Sequence, residues 1–357
     1  MKIVKLKKEN LFPFLDVISK EADLWGPVKT KPDRHAFEII KDYKDMDLEY
    51  NRTIIPPRKI ICPPKLKMFE ATPEEYKPDF SHVSKKIIFG IHSCDIHGLN
   101  IMDEFFTHAY YDPYYMDARK NALILGHSCW PDDKCLCKST RTHIIKDGYD
   151  LFFTALENDY MVWIGSSRGD DLIREAPDLF DEEIKPEDIQ EFQEWSEERD
   201  KAFQVEINFD AMPDLMELRY NDPLWEEAGQ ACLACGSCTN VCPTCNCYNV
   251  IDIPDLSEQK SSILRCWDAC TLENYSEVAG GEDFREARSA RLKLWYTHKL
   301  QAYISKYGNP ACVGCGRCLE TCPVEINVHT VGKALEGEPI DCYWKRLSDK
   351  LTKEVTK

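Results

Sequence analysis

A twelve-residue pattern occurs twice, 80 residues apart, and constrains this chain more than any other feature. Cys232-Leu-Ala-Cys235-Gly-Ser-Cys238-Thr-Asn-Val-Cys242-Pro243 and Cys312-Val-Gly-Cys315-Gly-Arg-Cys318-Leu-Glu-Thr-Cys322-Pro323 share the spacing C-x2-C-G-x-C-x3-C-P. Three cysteines at i, i+3 and i+6 let a short loop wrap one iron–sulfur cube while its amide N–H groups point at the sulfurs. The fourth cysteine, before proline, ligates the other cube of a pair. The spacing therefore assigns Cys232, Cys235 and Cys238 with Cys322 to one 4Fe–4S cluster. It assigns Cys312, Cys315 and Cys318 with Cys242 to a second. Gly236 and Gly316 suit close backbone approach. Structural zinc competes, because zinc sites also pair C-x2-C knuckles. Four cysteines within eleven residues, twice and each time before proline, match the cubane template instead.

Eighteen cysteines in 357 residues could also signal a disulfide scaffold, but such scaffolds belong to short secreted chains. Here the start is basic through Asn10, and Pro13 and Asp16 then break the apolar stretch of Leu11, Phe12, Phe14 and Leu15. No signal peptide is read, nor any run of 18 apolar residues that could span a membrane. The expected location is a reducing cytoplasm. A net charge of −17 makes the chain a poor nucleic-acid binder.

The expected class is α+β: an N-terminal α/β domain, residues 1–205, then a mostly helical two-cluster ferredoxin-like domain, residues 206–335. The latter carries a long insert, 245–309, and a polar tail, 336–357, follows. Leu11–Lys20 reads as a helix, Ala36–Ile40 as a strand, and Asn51–Pro64 as extended. Lys86–Ile91 is an apolar β-branched run, hence a buried strand, with Asp95 as the expected cap of the helix that follows. Ala122–Leu125 is a second buried strand. Leu151–Leu156 and Tyr160–Ile164 make a hairpin through Glu157-Asn158-Asp159. Asp170–Lys201 has a helical, acidic pattern with Ile189, Phe192 and Trp195 on one face.

Cys94 and Cys129 each follow a buried strand, so in a parallel sheet both lie at its carboxyl edge, where ligands gather. With Cys135 and Cys137 they make a candidate third cluster; zinc or no metal are the alternatives. His92, His97 and His127 read as packing neighbours, and Cys62 and Cys342 as structural. In the insert, Cys245, Cys247, Cys266 and Cys270 meet no standard ligand spacing. They read as buried thiols, with a further cluster or a redox-active Cys245/Cys247 pair as alternatives. Arg285, Arg288, Arg291, Lys293, His298 and Lys299 form a basic stripe on a helix expected to end at Gly308. It serves either to offset cluster charge or as a solvated face.

No G-x-G-x-x-G follows a strand and no P-loop is present, so the chain is expected to hold no flavin or NAD of its own. Several one-electron centres without a two-electron centre describe a wire. Beyond this, the sequence resembles the iron–sulfur beta subunit of cytoplasmic sulfhydrogenases and its relative, the corresponding iron–sulfur subunit of anaerobic sulfite reductase. The resemblance runs from Lys86 to Val328. It rests on Gly90-Ile-His-Ser-Cys94-Asp95, Asp112-Pro-Tyr-Tyr115, Asn121-Ala-Leu-Ile124 and Cys135-Leu-Cys137. In the second half it rests on Cys242-Pro-Thr-Cys245-Asn-Cys247, Trp267-Asp268-Ala-Cys270, Ala279-Gly-Gly281, His298-Lys299 and the run at Cys312. It implies a complex with a ferredoxin-reductase-like subunit holding FAD and a 2Fe–2S cluster. The terminal module would be a hydrogenase, a sulfite reductase or a heterodisulfide-reductase-type unit. The family has Arg-Pro where His92-Ser93 stands, and an aromatic where Leu136 stands; neither departure removes a cysteine. A stand-alone iron–sulfur reductase and a zinc-stapled scaffold are the competing functions.

Overall fold

The computed structural model describes residues 2–32, 34–255, 257 and 259–355. Twelve strands are described: β1 Lys2–Lys7, β2 Asp23–Lys31, β3 Arg34–Ile39, β4 Lys65–Ala71, β5 Tyr76–Pro78, β6 Lys86–Ile91, β7 Ala122–His127, β8 Leu151–Ala155, β9 Asp159–Ile164, β10 Phe180–Asp181, β11 Tyr248–Asp255 and β12 Lys260–Trp267. They form an eight-stranded sheet in the order β10-β1-β9-β8-β7-β6-β2-β3 and a four-stranded sheet in the order β11-β12-β4-β5. In the larger sheet the four strands β2, β6, β7 and β8 are parallel. All six residues of β6 are buried, as the unbroken apolar run requires.

The chain divides into two units, but not at residue 205. The first comprises residues 1–132, 142–203 and 249–266; the second comprises 133–141, 204–248 and 267–357. Two short segments are thus exchanged relative to the expected linear boundary. Residues 249–266, expected within the ferredoxin insert, contribute most of β11 and β12 to a sheet with β4 and β5.

Between β6 and β7 the chain crosses over through helices Ser93–His108 and Pro113–Lys120. Asp112 caps the second helix by accepting from the Tyr115 amide at 2.9 Å. Tyr115 is fully buried, and its hydroxyl donates to Asp103 at 2.7 Å. The expected cap at Asp95 is corrected: His92 is the N-cap and Asp95 lies in the helix's first turn, where its charge still complements the helix dipole. Pro57–Ile60 turns into a 3-10 helix rather than staying extended. The acidic stretch splits into helices Ser167–Glu175 and Pro186–Lys201, and Phe192 packs on Trp163 with ring centres 5.1 Å apart.

In the second unit a helix runs over Arg288–Thr297, widens to a π-helical turn at His298–Ala302 and resumes over Tyr303–Tyr307. Gly308, at φ 78°, ends it as expected. The tail is less peripheral than expected: Ile340 and Cys342 are buried and Tyr343–Val355 is helical. Among the described residues, no helix is long and apolar enough to cross a membrane.

Candidate metal centres

Both cysteine runs fold alike, residue for residue. Ala234 and Gly314 take φ of 52° and 61°, and Gly236 and Gly316 take 73° and 74°. These left-handed positions turn each loop's amides toward its cysteines. The Ala234 N–H donates to Cys232 Sγ at 3.3 Å, and the Gly314 N–H to Cys312 Sγ at 3.4 Å. One helical turn follows in each case, Ser237–Asn240 and Arg317–Thr321, and carries the chain to the fourth cysteine. There the amides of Val324 and Ile326 donate to Cys322, and that of Thr244 to Cys242.

The thiols gather in two crossed groups. Burial pushes Cys238 up to about 12, and Cys232, Cys322, Cys235 and Cys242 around it add to the rise. Cys322 in turn faces Cys232 and Cys235. Burial likewise pushes Cys312 up to about 12, with Cys242 and Cys315 as its neighbours. Cys318, raised by burial, faces Cys312, Cys315 and Cys242. One cavity is lined by Cys242, Cys312, Cys315 and Cys318, with Cys238, Trp295 and Lys299 also on its wall.

Two buried donors point to what these groups accommodate. The Tyr296 hydroxyl has no hydrogen-bond partner, and its ring lies among Cys238, Cys318, Cys322 and Cys232. The Trp295 indole N–H, on the lining of the cavity, has none either. Buried donors are rarely left unpaired, and cluster sulfides or thiolates would accept from both. The residues therefore fit cubanes. Among the described residues, no three His, Cys, Asp or Glu side chains converge on a single-ion site.

Sequence reasoning left the insert cysteines without a place. Cys245 donates to Cys242, which with Lys299 and Thr244 holds the Cys242 thiol low. Cys247 hydrogen-bonds Cys270 and Tyr275; the bond from Cys270 brings Cys247 down to about 6. The partners are thus Cys245 with Cys242 and Cys247 with Cys270, not Cys245 with Cys247 as in one of the alternatives. Cys266 lies on β12, in the first unit.

The basic stripe is divided: Arg288 is exposed, whereas Arg291 and Lys299 are buried. Arg291 is 3% exposed and donates to the carbonyls of Thr271, Arg285 and Glu286, while Lys299 is 1% exposed. Arg285 precedes the helix, which starts at Arg288. Arg288 reaches the Cys232 carbonyl at 2.7 Å. Burial lowers His298 to about 4, keeping it neutral at pH 7.

In the first unit, Cys94 lies in the first turn of the helix after β6, and Cys129 two residues past β7. Both stand at the carboxyl ends of adjacent parallel strands. The buried Arg199 donates to the Cys129 carbonyl at 2.7 Å and lies 3.8 Å from its thiol. Cys135 and Cys137 lie on the segment 133–141 of the second unit. There the Leu136 N–H donates to the Gly314 carbonyl at 2.8 Å. His92 stacks on Tyr50 at 4.1 Å and His97 bonds the Ile144 carbonyl, so both have packing or structural partners. Cys62 and Cys342 are buried.

Comparison with known proteins adds the family. The 4Fe-4S dicluster domain matches residues 231–326. Sulfhydrogenase 2 subunit beta of Pyrococcus furiosus is 36% identical over 342 residues, covering 94% of this chain and 99% of that protein. No solved structure gives a significant match. An identity of that level along nearly the whole of both chains leaves one conclusion: this protein belongs to the sulfhydrogenase beta-subunit family.

Proposed function

We propose that this chain is the electron-relaying subunit of a cytoplasmic redox complex. In this reading Cys232, Cys235, Cys238 and Cys322 hold one 4Fe–4S cluster, and Cys312, Cys315, Cys318 and Cys242 hold the other. The observation that carries it is the crossed gathering of thiols around Cys238 and Cys318. Cys322 of the other run joins the group around Cys238 and Cys242 of the other run joins the group around Cys318, which supports crossed ligand sets that bring two cubes close together. Bound there, the clusters supply one-electron transfer. The chain's own residues exclude water, orient amide N–H groups at the sulfurs and place cations near them. A third metal centre on Cys94, Cys129, Cys135 and Cys137 remains a proposal from sequence.

The relay needs a partner at each end. We assign one side to an FAD and 2Fe–2S subunit handling NAD(P)H. The other side goes to a hydrogenase, sulfite reductase or heterodisulfide-reductase-type module. The name of the Pyrococcus furiosus relative favours the hydrogenase.

Anaerobic metal analysis with EPR of the dithionite-reduced protein tests the reading. About eight irons per chain with interacting 4Fe–4S signals are expected from the two runs, and about twelve if the third centre is a cluster. A colourless, zinc-containing protein would leave only the stapled scaffold. Iron with a non-cysteine ligand at one cube would favour a stand-alone reductase.

A further inference from the structure

Lys299 is a buried cation that no carboxylate among the described residues balances. Its ammonium donates to Thr244 Oγ1 at 2.6 Å and to the Ala311 carbonyl at 3.2 Å. Both acceptors are neutral, and the residue is 1% exposed. An uncompensated buried charge is costly, so folded chains keep one only where a counter-charge offsets it. The anionic groups around it are thiols: Cys242, to which it also donates, then Cys245 and Cys312. The same side chain lines the cavity whose wall holds Cys242, Cys312, Cys315 and Cys318, with Cys238 the one cysteine there from the other proposed set.

The backbone is shaped to bring it there. Arg291, Trp295, Lys299 and Tyr303 are all buried and recur every fourth residue. An ideal α-helix of 3.6 residues per turn drifts by about 40° at each such step, which keeps Lys299 within about 20° of Leu292 on the buried face. Lys299 lies within the π-helical turn His298–Ala302. Thr244 holds the ammonium from the other side; its own hydroxyl donates to Ala311 at 2.6 Å and lies 3.1 Å from Cys242 Sγ.

We propose that Lys299 is the dedicated counter-charge of the cluster held by Cys312, Cys315, Cys318 and Cys242, and that it sets this cluster's reduction potential above the value its thiolates alone would give. The inference rests on the ligand sets proposed above. Reduction adds a negative charge to the cluster, and a fixed ammonium beside it favours the reduced state. The group around Cys238 has Arg288 and Arg291 near Cys232 instead. Loss of Lys299 should therefore move the two clusters unequally.

The test is an EPR-monitored redox titration of the full chain, purified with its clusters, as wild type, Lys299→Gln and Lys299→Arg. Wild type must first show two one-electron waves; their absence would sink the cluster assignment rather than the role of Lys299. In Lys299→Gln one midpoint is expected to fall by at least a tenfold change in the reduction equilibrium, 59 mV for one electron. The other midpoint should move less. Lys299→Arg, which keeps the charge, should leave both near wild type. Equal shifts of both waves, no shift, or a fall in the arginine variant matching that in the glutamine variant would overturn the proposal. Should the glutamine variant lose its iron, the arginine variant decides: retained clusters at wild-type potentials support the charge role, and iron loss there assigns Lys299 to packing.

Discussion

Replacing Gly314 by alanine should separate the two similar cysteine loops. Gly314 sits at φ 61°, and a methyl built on it would lie 2.3 Å from the Leu136 carbonyl carbon, 2.4 Å from the Cys137 nitrogen and 2.5 Å from the Leu136 oxygen. All three are backbone atoms, so no side chain can rotate away. Relief needs a displacement of about 1 Å, against the Leu136 amide's bond to the Gly314 carbonyl. Three costs combine. The left-handed conformation costs an L-residue about 1–2 kcal/mol. Overpacking a tight site costs about 1–3 kcal/mol. Losing the hydrogen bond costs about 0.5–1.5 kcal/mol. The sum, about 3–6 kcal/mol, is a large share of a domain's usual 5–15 kcal/mol. Ala234 is the natural control, since it holds the matching position at φ 52° with a methyl already present. Ala234→Gly should change stability by no more than about 1 kcal/mol. Thermal unfolding of the chelated protein would show a drop of about 10 °C or more for Gly314→Ala. Iron per chain, measured before chelation, should fall by about four in that variant alone. A Gly314→Ala protein that unfolds within about 2 °C of wild type and keeps its iron would refute the clash as the reason for glycine there.

Burial lowers His127 to about 4, against the opposing effect of a hydrogen bond with the Ser128 backbone. Its folded value lies below its unfolded value of about 6.5, so its stabilising effect is complete above pH 6.5. That effect is lost as pH falls toward 4, up to about 3 kcal/mol. Acid unfolding followed by tryptophan fluorescence should move to lower pH in His127→Leu; an unchanged midpoint would show that the histidine is not buried neutral. Buried Asp150 accepts from the Ile124 amide, Ser166 and Arg168. Arg168→Ala should cost about 2 kcal/mol in urea unfolding, below the usual figure for a buried pair because the arginine is half exposed; wild-type stability there would mean the carboxylate needs no cation. Cys247 and Cys270 bond each other, so Cys247→Ser and Cys270→Ser should retain wild-type iron, and a loss of about four irons in either would make them ligands.

The two cysteine runs were legible because ligand spacing is a covalent constraint that few other chemistries share. Strands β6 and β7 were legible because burial on both faces leaves an unbroken apolar run. Strand β1 was missed: in Lys2–Lys7 alternating lysines hide a strand whose Val4 and Leu6 are fully buried. The β11–β12 hairpin was missed because its outer strand exposes Val250, Ile251 and Ile253, so no burial pattern marks it. Asp95 misled because a good capping side chain three positions into a helix looks the same as one at its start. Lys299 could not be told from a surface lysine, because charge alone does not report burial. Its signal was helical position: Leu292, Trp295, Tyr296, Leu300 and Tyr303 mark one face of a regular helix, and Lys299 falls inside that face.

The exchanged segments have a consequence for how the protein is made. With the crossed ligand sets proposed above, the cluster of Cys232, Cys235 and Cys238 waits for Cys322, which a ribosome adding 5–20 residues per second reaches roughly 4–17 s after Cys238. The four-stranded sheet of the first unit likewise waits for residues 260–267, and the segment 133–141 waits for the second unit to which it belongs. Neither unit can be finished in order as it leaves the exit tunnel. Loading of that cluster is then a late step: a chain interrupted between Cys318 and Cys322 would hold every thiol of the second set and only Cys232, Cys235 and Cys238 of the first.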